Sequence, residues 1–335
     1  MRKLLACVVL VVFALPVWAQ SKEPLRLVSS TPLPGVEGDF DHFGVDVKNN
    51  RLYLTGEDHK SVEVFELRSG KHLRSLKGFE TPHSILCLPN AHKLMVIDGG
   101  PGEVKVFNDQ TYEVKDTIKL TVDADSMGYD ADKKLLYVDN GGREAKQDYS
   151  LLSVIDTNTD KKVADIKVDS NRIEAMAIEK SGPRLFLNDT GKARITVINR
   201  EKREILGQWP IPDAEQNVPM ALDEANHRLF VATRKPSKFI AFDTESGKPV
   251  ASLPANGRAD DMSFDANRNR IYIAAGEGFV DVYQEKDPDH YEAIGKIPTG
   301  PVAKIGTFVP ELNRYYVAVS AKDKEPARVM IFEVQ

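Results

Sequence analysis

The stretch ADKKLLYVDNGG, residues 131–142, sets a charged turn directly before a short apolar strand that ends in Asp-Asn-Gly-Gly. Nearly the same phrase returns as NNRLYLTG (49–56), ANHRLFVAT (225–233) and ANRNRIYIAA (266–275). Self-similarity at a fixed period outranks the prior that about 300 residues make two domains. With Tyr53 as marker, the counterparts are Met95, Tyr137, Phe186, Phe230, Tyr272 and Tyr316, spaced by 42, 42, 49, 44, 42 and 44 residues. This period suits a blade of four short antiparallel strands.

Each period supplies the parts. HFGVDV (42–47) reads as an inner strand, RLYLT (51–55) as the second, VEVFEL (62–67) as the third, and SGK (69–71) turns the chain into an outer one. These segments are rich in Val, Ile, Leu, Phe and Tyr and are separated by Gly, Asn, Asp or Pro. No long stretch reads as a helix. The last period holds only three strands, IGTFV (305–309), YYVAV (315–319) and VMIFEV (329–334). LRLVSS (25–30) is available to complete it, and closing the ring in this way covers two sheet edges. The expected fold is therefore all-β, a single seven-bladed β-propeller over residues 20–335.

Two residues past each blade's entry lie Phe43, Ile85, Met127, Met176, Met220, Met262 and Gly306, followed by mostly small residues: Gly44, Leu86, Gly128, Ala177, Ala221, Ser263 and Thr307. Large side chains on one sheet fill space left by small ones on the next. The methionines, one per blade, are expected to be core rather than metal ligands.

Residues 1–19, MRKLLACVVLVVFALPVWA, read as a secretory signal: Arg2 and Lys3, an apolar run too short to span a bilayer, then Val-Trp-Ala. The mature chain is expected to be periplasmic or secreted, without membrane insertion. Cys7 leaves with the signal, so Cys87 has no disulfide partner, and a Cys-based zinc site or covalent haem is excluded. The net charge of −5 becomes −7 without Arg2 and Lys3, and no basic run points to nucleic acid. A monomer is expected.

The segment DADKKLLYVDN…LLSVIDTNTDKKVADIKV (130–168), echoed by FDTESGKPVASL (242–253), resembles the YVTN repeat of the YncE-like seven-bladed β-propellers. RLFLND and KLMVID depart from the Tyr-Val-Thr-Asn core. The resemblance implies the fold and assigns no chemistry. The Trp-rich repeat of quinone-dependent (PQQ) propellers is absent, since the mature chain has one tryptophan, Trp209.

The candidate site comes from the blade period. Counting 12 residues back from each marker gives Asp41, His83, Asp125, Glu174, Val218, Asp260 and Lys304, which open the inner strands at one mouth of the channel. His42, Asn217 and Asp261 adjoin them. Carboxylates gathered on one axis need compensation. A divalent cation held by Asp41, His83, Asp125, Glu174 and Asp260 would supply it, as would a polar ligand or Lys304. Loops 140–150 and 321–327 should rise at the same mouth, where Arg143, Tyr149 and Arg234 are placed to grip an anion. Asp46, Asp130, Glu179, Asp223 and Asp265 end the inner strands at the opposite mouth and are expected to hold their own turns.

No nucleophile elbow, Walker loop or paired-His metalloprotease motif is present. The reading leans away from an enzyme and towards a binding module taking a small-molecule or protein ligand at the mouth. The alternative, from similarity to lactonase-like propellers, is a metal-dependent hydrolase with His83 as general base and the ring acids as ligands.

Overall fold

The computed structural model describes residues 23–335, so the expected signal sequence at 1–19 and Cys7 lie outside the described residues. Seven four-stranded antiparallel sheets follow one another in chain order. Blade 1 is Phe43–Asp46, Arg51–Gly56, Ser61–Glu66 and His72–Lys77, and blades 2 to 6 repeat this inner-to-outer order through His290–Pro298. Blade 7 takes its inner three strands from Ile305–Val309, Arg314–Val319 and Ala327–Val334, and its outer strand from Leu25–Leu33. The helical content of the described residues is two three-residue 3-10 turns, Thr190–Lys192 and Pro310–Leu312.

The register repeats as closely as the sequence. The marker lies opposite the same inner-strand position in every blade, from Gly44 and Tyr53 through Thr307 and Tyr316, a small residue in six blades and Leu86 in blade 2. All seven markers are buried to 1% exposure or less. The outer strand of each blade also carries one extra residue at the same place: Leu73, Lys115, Val163, Leu206, Val250, Ile294 and Val28. A bulge adds twist and re-aims the strand edge, which blunts it against further pairing. It also explains why Leu73, Val163, Leu206 and Val28 are among the exposed large apolar side chains. That Leu25–Leu33 shares the bulge marks it as a true fourth strand.

Seven apolar cores fill the seven interfaces between neighbouring blades, blade 7 against blade 1 included. Small residues on one inner strand admit large ones on the next. A Cβ on Gly44 would sit 2.6 Å from Ile85 Cγ2, and one on Gly128 would sit 2.9 Å from Met176 Cγ. Met127, Met176, Met220 and Met262 each join one of these cores, as expected of packing residues. The turn acids hold turns: Asp46 accepts from the Asn49 amide at 2.9 Å, and Asp130 from Lys133 at 3.0 Å. Among the described residues no helix is long and apolar enough to cross a membrane.

Candidate functional site

The chain enters each inner strand at the same end of the disc, so the residues just before those strands meet around the channel axis. All seven counted positions, Asp41, His83, Asp125, Glu174, Val218, Asp260 and Lys304, line one cavity of about 180 Å³. His42, Glu57, Arg172 and Arg234 complete its charged wall. Five carboxylates therefore face two imidazoles and three permanent cations.

The wall divides into two halves. In the first, His83 Nδ1 donates to Asp41 Oδ2 at 2.6 Å and lies 3.7 Å from Asp125 Oδ1. His42 Nδ1 donates to Asp261 Oδ1 at 2.8 Å, with its Nε2 3.6 Å from Asp41 Oδ1. Thr55, fully buried on the second strand, donates to the His83 carbonyl at 2.8 Å, and the Asp41 amide donates to the Thr55 carbonyl at 3.0 Å. Blades 1 and 2 are thus locked together behind the imidazoles. Burial by itself would lower the His83 pKa, but Asp125 and the hydrogen-bonded Asp41 overcome it and push it up to about 10. Burial opposes His42 in the same way, and Asp41 and Asp261 raise it well above the ordinary histidine range. Burial works against ionised Asp41 too, yet His42 and the His83 hydrogen bond hold its carboxyl below the usual carboxylate range. Burial, with the Asp41 charge adding to it, pushes Glu57 up to about 7.

In the second half the acids are paired. Lys304 Nζ lies 2.8 Å from Asp260 Oδ2, Arg234 closes on Asp260 Oδ1, and Arg172 Nε donates to Glu174 Oε1 at 2.7 Å. Burial and the Asp125 charge outweigh Arg172 and push Glu174 up to about 7.

The five expected metal ligands are therefore brought to one cavity but not to one point. Among the described residues the donor atoms that converge within 4.8 Å are those of Asp41, His42 and Asp125, and those of Asp41, Glu57 and His83. Glu174 and Asp260 are turned to guanidinium and ammonium partners instead. Asn217 lies outside the cavity wall. Its side chain is fully buried and donates to Asn188 Oδ1 at 2.8 Å and to the Arg194 carbonyl at 3.0 Å, joining blades 4 and 5. Asp261 stands behind His42 and accepts from the Gly306 amide at 3.1 Å. Val218 gives the wall its apolar segment.

Glu57 and Arg172 are residues that the sequence reading missed. Glu57 lies in the loop between second and third strands, where an acid looks like any solvent-facing turn residue. Arg172 lies two residues before its partner, a spacing that carries no signal outside a helix. The long loop of blade 3 does rise at this mouth. Asn140, Gly141, Arg143, Glu144 and Ser150 line a second cavity of about 120 Å³, which shares Asp125, Arg172 and Glu174 with the first. Asp139, at its floor, is 3% exposed, and burial with the charges of Asp125 and Glu174 raises its carboxyl well above the ordinary range. Of the expected anion-gripping residues, Arg143 pairs with Glu144, Arg234 with Asp260, and Tyr149 lies under Lys167 with 4.0 Å between Nζ and the ring centroid.

Comparison with known proteins bears out the propeller and its YncE-like character. A protein named YncE from Salmonella typhimurium is 23% identical over 146 residues, 43% of this chain and 40% of that protein. A YncE of Salmonella typhi is 22% identical over the same length. The match thus spans less than half of these curated relatives. The solved structure of hydrazine synthase from Kuenenia stuttgartiensis superposes with a TM-score of 0.74 at 17% identity, covering 85% of this chain and 95% of that one, a likeness of fold alone. No family model matches the chain.

Proposed function

We propose that this YncE-like seven-bladed propeller is an exported binding module whose mouth cavity takes a divalent cation on the Asp–His side of its wall. One observation carries the reading: donor atoms of Asp41, His42, Glu57, His83 and Asp125 lie in two overlapping groups, each within 4.8 Å. Carboxylate oxygens with an imidazole nitrogen suit calcium, manganese or zinc. A bound cation takes over the charge balance that protonated His42 and His83 otherwise supply to these carboxylates. The paired half of the ring, with Arg172, Arg234 and Lys304, leaves the rest of the mouth to a polar ligand. Export rests on the N-terminal sequence.

The lactonase-like alternative asks His83 to act as a general base. Without a cation, an imidazole held at about 10 between two carboxylates is protonated at neutral pH, and it must give up that proton both to ligate a cation and to act as a base; the binding reading is preferred because it asks for no nucleophile or hydrolase motif. Equilibrium dialysis against micromolar calcium, manganese or zinc, with elemental analysis, tests the proposal. One ion retained per chain, and lost in Asp41→Asn, is the expected result. Metal at background for all three ions overturns it.

A further inference from the structure

His42 and Asp261 occupy the same place in their blades, 11 residues before Tyr53 and Tyr272. Blade 7 lies between them in the ring, yet their side chains meet across its entry, with His42 Nδ1 2.8 Å from Asp261 Oδ1. Both ends of this contact are held from behind. The Asp261 amide donates to the Lys304 carbonyl at 3.2 Å, and Asp261 Oδ2 accepts from the Gly306 amide at 3.1 Å. The His42 amide donates to the His83 carbonyl at 3.1 Å, and the His42 carbonyl accepts from the Thr55 amide at 3.3 Å and the Thr55 hydroxyl at 3.2 Å. The imidazole therefore has one fixed orientation, in which Nδ1 is taken and Nε2 turns to Asp41, 3.6 Å from Oδ1.

His83 is placed differently. Its Nδ1 is taken by Asp41 at 2.6 Å, and its Nε2 lies against the chain just past the second strand of blade 2, where a Cβ on Gly99 would sit 2.9 Å away. Of the two imidazoles, His42 is thus the one that turns an unengaged ring nitrogen to a carboxylate pair. Donor atoms of Asp41, His42 and Asp125 converge within 4.8 Å. The side chains of His42 and Asp125 are 22% and 31% exposed, so an ion in the cavity reaches them. A histidine that ligates a metal through one nitrogen characteristically donates its other N–H to a carboxylate, which fixes the ring and raises the basicity of the ligating nitrogen. Asp261 stands in that relation to His42.

We propose that the cation of the mouth is zinc or a similar imidazole-preferring dication, bound by Asp41, Asp125 and His42 Nε2, and that Asp261 is the positioning residue that selects it over calcium. The inference rests on the cation reading above. An oriented imidazole nitrogen suits zinc and its neighbours in the first transition row, whereas calcium takes its ligands from oxygen. The proton on Nε2 leaves as the ion binds. Nδ1 keeps its own, held by Asp261, and His83 keeps its bond to Asp41.

The test is calorimetric titration of the full chain with zinc and with calcium, in wild type and Asp261→Asn, joined to proton–nitrogen NMR of the histidine rings. Zinc should bind about tenfold or more tighter than calcium, and Asp261→Asn should lose about 10–100-fold in zinc affinity while calcium affinity stays unchanged. A carboxylate that only ties blades together would lower both affinities alike, and a melt without metal checks that the variant folds. Zinc should shift His42 Nε2 far more than either nitrogen of His83, with His83→Gln telling the two rings apart. If neither ion binds, the cation reading fails and this inference with it. If an ion binds but calcium matches zinc, or Asp261→Asn weakens both ions equally or neither, or the large shift falls on His83, the cation reading stands and the role of Asp261 is overturned.

Discussion

Gly44 shows how one atom sets the packing. Its missing Cβ leaves room for Ile85 of the next blade, whose Cγ2 would otherwise lie 2.6 Å away. Gly44→Val should therefore cost about 1–3 kcal/mol by overpacking, read from the urea midpoint. Glu285 makes a different point. It is 2% exposed, and burial together with the nearby Asp223 charge pushes it up to about 7 from 4.5. The folded chain thus holds a proton there that the unfolded chain has released. Its contribution is present below pH 4.5 and is lost as the pH rises from there through 7. Glu285→Gln should remove that loss, so the fall in melting temperature between pH 5 and pH 8 should be smaller than in wild type. An identical fall in both proteins would count against the assignment. The role of Gly44 is legible in the sequence, in the small residue that recurs at this place along the period, whereas Glu285 is one acid among many.

Strands and turns carry the closure of the ring. Leu25–Leu33 pairs along Ala327–Val334 from Leu25–Val334 to Leu33–Ala327, and its removal exposes the edge of blade 7. A chain lacking residues 1–33 should aggregate and lose its cooperative melt, measured by light scattering and thermal unfolding. Cations that cross from one blade to the next are a second device, as where Lys93 Nζ donates to Asp160 at 2.7 Å and Arg228 to Asp289 at 2.7 Å. Arg228→Ala should cost about 1–3 kcal/mol, because it strips donors from Asp243, Asp289 and the Pro288 carbonyl. Arg51→Ala, which breaks no cross-blade bond, should cost about 0.5 kcal/mol or less. Comparing the two melts separates a clamp from a surface charge. The strands, the period and the closing N-terminal segment were legible because alternation and turn residues are local. The clamps were not, since a cation before an apolar strand reads the same whether it crosses to a neighbour or folds back on its own turn.

Around the axis, function depends on where seven separate loops meet. Asp125→Asn should weaken cation binding about tenfold or more, since affinity follows the charge of the ligand set. Asn217→Ala should leave cation affinity unchanged while destabilising the fold by about 1–3 kcal/mol, because Asn217 spans two blades as a buried donor. Calorimetry with the cation and thermal melts would distinguish the two effects. Counting back from the marker brought all seven ring positions to one cavity, because a period conserved along the chain becomes an angle about an axis once the blades close. The same count says nothing about direction. Glu174 turns to Arg172 and Asp260 to Arg234 and Lys304, while Glu57 swings in from a loop that carries no pattern. Local hydrogen bonding and alternation specify strands, and with them the repeat. Which acids face one another, which are neutralised and which keep a proton depends on distances between residues dozens of positions apart, and those distances exist only in the closed ring.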